Sequence, residues 1–149
     1  MKDCFFQYRK GLYEALSTLT YEGDAIEVLE YAPNDYETPY IQILNMSSTL
    51  NDDQSTFMQM LSVDIMVVTS HVGSPEKFGS KQSDDIMTSI MELLITRGVT
   101  PADVAKHITM DDFTDGGCHF VALNYFPDFD GVKTTVRKVL TIQTGIDEN

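Results

Sequence analysis

Cysteine is scarce. The chain holds only Cys4 and Cys118, too far apart in sequence to match any metal-ligand spacing. On paper they allow one disulfide, yet such sparse usage fits a reducing compartment better than a secreted framework. Basic residues are also few, 10 Lys and Arg against 23 Asp and Glu, for a formal net charge of −13 at pH 7. Phosphate contacts need clustered Lys and Arg, which argues against a main role in binding DNA or anionic membranes. A chain that lies beside DNA without sticking to it stays compatible, because like charges repel. No apolar run is long enough to span a bilayer, and the N-terminal MKDCFFQYRKG lacks the apolar core of a signal peptide. The expectation is a soluble chain, intracellular or assembled inside a cell, without membrane contact. Catalytic templates are missing too: there is no P-loop, GxGxxG, HExxH or GxSxG. An enzyme is not expected, and neither a cofactor nor a bound metal is implied.

What is present is the composition of a folded domain. At 149 residues, 42% hydrophobic and 22% charged, the chain can bury a continuous core, and one domain spanning 1–149 is expected. Phe5, Tyr8, Leu12, Leu16 and Leu19 recur at helical spacing, which predicts a helix over 3–20, weakened by Gly11 by roughly 1 kcal/mol relative to Ala. Glu22-Gly23-Asp24 ends it. A strand over 25–31 and a turn-rich loop, APNDYETP, follow. Tyr40 to Met46 reads as the next strand and Thr56 to Ser70 as a longer one, separated by the polar SSTLNDDQS, a projecting loop or frayed hairpin tip. In the long strand Phe57, Leu61, Val63, Ile65 and Val67 share an apolar face interrupted only by Gln59. The opposite face, with Met58, Met60, Ser62, Asp64 and Met66, is half-polar.

After a linker over 71–80, a second helix is expected from Ser83 to Arg97, with Ser83 as N-cap and Arg97-Gly98 as the stop. Thr100-Pro101-Ala102-Asp103 resembles the start of one more helical turn. Strands are expected at His107 to Phe113, Cys118 to Phe126 and Val132 to Thr144, with turns at Asp115-Gly116-Gly117 and Asp128-Phe129-Asp130-Gly131. The fold class is α+β: a small, mostly antiparallel mixed sheet flanked by two helices, in the order α-β-β-β-α-β-β-β.

Four groups of residues are candidate sites. An EF-hand loop needs glycine sixth and glutamate twelfth, but counting from Asp128 glycine comes fourth and Val139 stands twelfth. As a catalytic pair, Asp128 and Asp130 would need a pocket that separates their pKa values, whereas a hairpin tip is solvated. Pro127 ending one strand and Asp130-Gly131 turning to the next is the simpler account. Cys118, with His119, Cys4, His71 and His107, could suggest a thiol nucleophile or zinc. Strand neighbours point to opposite faces, which spoils a direct Cys118–His119 dyad, and Cys118 opens an apolar strand. The methionines Met58, Met60 and Met66 fit core packing or a subunit contact. Asn51, Asp52 and Asp53 read as solvated loop charges with a secondary chance of contacting a partner.

The layout resembles the tail completion or tail terminator (head–tail joining) proteins of tailed bacteriophages. The resemblance rests on the N-terminal helix FFQYRKGLYEALSTL, Pro39-Tyr40 opening a strand, and the long strand FMQMLSVDIMVVTS. It also rests on the helix SDDIMTSIMELL and the closing hairpin, where a D-x-D-G turn leads to VKTTVRKVLTIQTG. Such a resemblance implies a structural virion protein with no catalytic residues. Its subunits would form a homo-oligomeric ring, commonly a hexamer, that caps the tail tube, meets neck or connector proteins and lets DNA pass through the lumen. Another head–tail neck position is the nearest alternative. A module that uses its acidity to bind a basic partner is a second.

Overall fold

The structure, a computed structural model, describes residues 2–50, 58–72, 81–95 and 108–149. Helix α1 (Phe5–Leu16) starts where the Asp3 carboxylate accepts the Phe5 N–H at 2.8 Å. It is shorter than the 3–20 stripe implies. At its end the hydroxyls of Ser17 and Thr18 donate to the carbonyls of Tyr13 and Ala15, both at 2.7 Å, which satisfies free acceptors of the last turn. Thr20 and Tyr21 then form β1 (Thr20–Tyr21), paired with β2 (Asp24–Ala25). Glu22 and Gly23, at φ 50° and 86°, supply the two left-handed residues that a two-residue hairpin turn needs. The strand expected over 25–31 is thus divided between β2 and the short β3 (Glu27–Leu29).

The main sheet has the order β3-β4-β5-β7-β6, with β4 (Tyr40–Leu50), β5 (Met58–Val72), β6 (Phe113–Phe129) and β7 (Lys133–Glu148). Only β3 and β4 run parallel; every other pair in it is antiparallel, so the sheet is mixed as expected. Strand β4 runs through Ser47–Leu50, which the sequence assigned to a loop, because Ser47 to Leu50 pair with Ser62 to Gln59. The remainder of that loop, the linker from 73 onward, Arg97-Gly98, Thr100–Asp103 and His107 lie outside the described residues. Strand β5 runs on through His71 and Val72, placed in the linker by the sequence, since both pair with β7.

Both helices lie on one face of the sheet. From α1 come Tyr8, Leu12 and Leu16, and from α2 (Lys81–Leu94) come Ile86, Ile90 and Leu94, all buried against Leu61, Val63, Ile65, Leu140 and Ile142 of β5 and β7. Gln59, the polar interruption on this face, is buried and satisfied: its amide donates to the Lys2 carbonyl at 2.9 Å, and it accepts from Ser48 Oγ at 2.9 Å and from the Cys4 thiol at 3.5 Å. Ser83 is not an N-cap. The helix begins two residues earlier, at Lys81, and Ser83 is fully buried within it.

The segment expected to be a strand from 107 to 113 is irregular at 108–112, and Asp115-Gly116-Gly117 is no turn. It forms a bulge within β6, where two residues oppose one on β7 between the pairs Asp115↔Ile146 and Cys118↔Thr144. Gly117 sits at φ 95°, and a Cβ on Gly116 would come within 3.1 Å of the Gly145 carbonyl. The Asp115 side chain organises the site from within. It is only 2% exposed and accepts the Ile108 N–H at 2.8 Å, the Gly117 N–H at 2.9 Å and the Thr144 hydroxyl. The glycines signal left-handed or crowded backbone, which a bulge needs as much as a turn. Nor does Pro127 end a strand; it pairs opposite Val136 in β6, an edge strand that can spare an amide donor.

Candidate assembly surface

Cys118 and His119, read as a possible dyad, point to opposite faces of the sheet, and His107 lies outside the described residues. Cys118 is buried at the start of the core, its sulfur 3.4 Å from the Tyr8 hydroxyl. Burial pushes its thiol up to about 12, a rise that the Tyr8 hydrogen bond only partly offsets, so it stays protonated at neutral pH. His119 is exposed and pairs with Gln143, on the other side of the sheet from the core position held by Cys118. Cys4 and Cys118 are both free thiols. Among the described residues no group of His, Cys, Asp and Glu is arranged to hold a metal ion. No helix among them is long and apolar enough to cross a membrane.

Asp130 is a turn residue. Its carboxylate accepts the N–H groups of Val132 and Lys133, each at 2.9 Å, and these bonds hold its pKa below the usual carboxylate value. Gly131, at φ 95°, completes the turn. Asp128 is exposed next to it, opposite Thr135.

The feature that stands out lies along β6. A second irregularity falls between Phe120 and Ala122, so Val121 is the extra residue. Bulges bend a strand and sharpen its twist. Beyond this point β6 is exposed on both faces. Phe120, Leu123, Tyr125 and Phe129 pair with Ile142, Leu140, Lys138 and Thr134, which places them on the helix face, yet they stay 36–49% exposed. Phe126, on the opposite face, is 54% exposed and Val121 52%. An edge strand also leaves main-chain donors and acceptors unpaired along its outer side. Apolar rings on both faces of an unpaired edge form a surface suited to another polypeptide. Strand alternation in the sequence marks one buried face for this hairpin. It carries no sign that the edge runs past its helical cover.

Met58, Met60 and Met66 occupy the face of β5 opposite the helices, each half-buried. Met58 and Met60 lie over Gly145, where an added Cβ would meet the Met58 methyl at 3.0 Å and the Met60 sulfur at 3.9 Å. The half-polar character expected of this face is evident: Thr141 donates to Asp64 at 2.6 Å beside them. At one corner the loop between β3 and β4 folds onto this face, with Tyr36 edge-on to Tyr40 at 5.6 Å and the Thr38 and Ser70 hydroxyls 2.6 Å apart. No described helix covers the remainder. Asn51, Asp52 and Asp53 lie outside the described residues.

No protein-family model matches this chain, and no curated protein does. Among solved structures it matches a chain in the "Virion of native gene transfer agent (GTA) particle", with a TM-score of 0.68 and 11% sequence identity across 99% of each chain. At that identity the match establishes a shared fold over the full length.

Proposed function

We propose that this chain is a structural subunit of a phage-like virion, a tail completion or tail terminator protein whose copies close into a ring. In this reading the ring, a hexamer, caps the tail tube, joins it to the neck and lets DNA through its lumen without binding it. The observation that carries the reading is the apolar, aromatic outer half of β6, exposed on both faces of a sheet edge. A monomer has little use for such an edge, whereas a subunit covers it with its neighbour. The end-to-end likeness to a chain of a gene transfer agent virion supports the same conclusion, as does the resemblance in element order to tail terminators. The face that bears Met58, Met60 and Met66, together with Asn51, Asp52 and Asp53 beyond β4, is assigned to contacts with the tube or a stacked partner.

Light scattering and negative-stain microscopy of the purified chain test this directly. Closed hexameric rings are expected, and Phe126→Ser should abolish them while leaving the circular dichroism unchanged, since this ring contributes to no core. A chain that stays monomeric at its highest soluble concentration, or rings indifferent to Phe126→Ser, would count against the reading. Adding isolated tail tubes and, separately, connectors separates a terminator from another neck component, since a terminator caps tube ends.

A further inference from the structure

We propose that copies of this chain join head to tail, the β6–β7 hairpin of one entering the groove between α1 and β3 of the next. The proposal rests on the ring reading above and names the contact that builds it. The two edges of the sheet are unlike. At one, Phe126 and Phe129 are 54% and 46% exposed near the turn, with Asp128 and Asp130 exposed beside them. At the other, β3 is only three residues long, and Phe6, Arg9, Lys10, Tyr13, Val28 and Glu30 line an open groove of about 270 Å³. Phe6 and Tyr13 are 68% and 49% exposed, and they stand about two turns apart on one side of α1.

The two surfaces complement each other in polarity and in charge. The hairpin offers aromatic rings and the carboxylates of Asp128 and Asp130, with Lys133 beside the latter; the groove offers aromatic walls, the Arg9–Glu30 pair and the cation Lys10. Arg9 is already held by Glu30 at 2.6 Å, but Lys10 makes no ion pair among the described residues. The Asp128 carboxylate likewise has no partner among them. In a chain of net charge −13, a cation left over on an aromatic groove has few counterparts, and Asp128 at the hairpin is a matching ligand for Lys10. Because donor and acceptor surfaces differ and lie at opposite edges, every copy uses both, and the contact propagates around a ring. Pairing β6 with β6 would instead stop at a dimer and leave the groove empty.

Charge reversal tests the contact. Lys10→Glu and Asp128→Lys should each raise the concentration for half-assembly about tenfold or more, read by light scattering over a dilution series. The double variant should regain assembly, and so should an equal mixture of the two single variants, because alternating copies again oppose unlike charges. Both positions are exposed, so circular dichroism should stay that of the parent. Carbodiimide coupling in a mixture of isotopically light and heavy chains should join an α1 peptide of one copy to a β6–β7 peptide of another. Rings that ignore both reversals, or that couple through other segments, overturn this docking and leave the ring reading standing. A parent chain that never assembles overturns both, and dimers coupled β6 to β6 overturn the head-to-tail contact.

Discussion

Gly11 shows how differently one residue is read from sequence and from structure. By helix propensity it is a defect, and Ala should gain roughly 1 kcal/mol there. In the fold it is a contact: a Cβ at Gly11 would lie 2.5 Å from Ile108 Cγ2 and 2.7 Å from the Thr109 carbonyl oxygen. Backbone cannot yield like the end of a flexible side chain, so overpacking wins. Gly11→Ala should lower unfolding free energy by about 1–3 kcal/mol in urea titrations, opposite in sign to the propensity expectation. Tyr8 and Cys118 set a second expectation. Burial, then the neighbouring Cys118 and Asp115, raises the Tyr8 phenol well above its ordinary 10.0, and burial raises Cys118 from 9.0 to about 12. Well below pH 9 both groups keep their protons in either state. Above it the unfolded chain releases protons that the folded chain retains, so stability falls with rising pH, by about 1.4 kcal/mol per unit for each group once its unfolded pKa is passed. Urea midpoints at pH 8, 9.5 and 11 should decline in that order, and a flat series would mean the thiol and phenol are solvated. The sequence suggested that Cys118 is buried, because it opens an apolar run read as a strand, although the strand itself begins at Phe113. It could not disclose Tyr8 beside it, 110 positions away, nor that Asp115 is buried on Thr144, 29 positions from it.

At the scale of elements, periodicity identified both helices, the long central strand and the closing hairpin, since each buries one stripe or alternate face. Their ends were harder. Helix α1 stops early because Ser17 and Thr18 bond its last carbonyls, and β4 continues through SSTL because β5 offers it a partner. Glycine pairs were ambiguous for a physical reason: Asp130-Gly131 makes a turn, whereas Asp115-Gly116-Gly117 makes a bulge that a buried carboxylate holds open. The hairpin turn carries its own prediction. Gly131 has open space around its Cβ position, but its φ of 95° suits no branched side chain. Gly131→Val should therefore destabilise the turn by about 1–2 kcal/mol through backbone strain alone, with Gly131→Asn much milder. Thermal melts of the two variants would separate strain from crowding; equal losses would point to crowding instead. The assembly surface was the least legible element. Alternation marks which side of β6 faces the helices, but the extent of helical cover depends on where α2 comes to rest.

For the whole molecule, charge is the property that travels into an assembly. The proposed ring, with subunits each near −13, would present phosphates with a repulsive surface. Fluorescence anisotropy with a labelled duplex at physiological salt should therefore show no binding, for the ring as for the monomer, and a mapped potential of the ring should be negative along its lumen. A basic lumen, or a measurable affinity that weakens with salt, would remove the case for a passive conduit. Composition alone disclosed this much, because net charge needs no fold. Sheet order is different, and it constrains how the molecule is made. Strand β7 follows every other described strand in the chain, yet it sits between β5 and β6 and pairs with both along nearly its whole length. On the ribosome, β5 and β6 emerge first; β5 can pair with β4, but β6 has no strand partner in the sheet until β7 arrives. Cotranslational closure of this sheet is thus deferred until Lys133–Glu148 leaves the exit tunnel, and a nascent chain arrested before that point presents an unpaired β6 and one open edge of β5 at once.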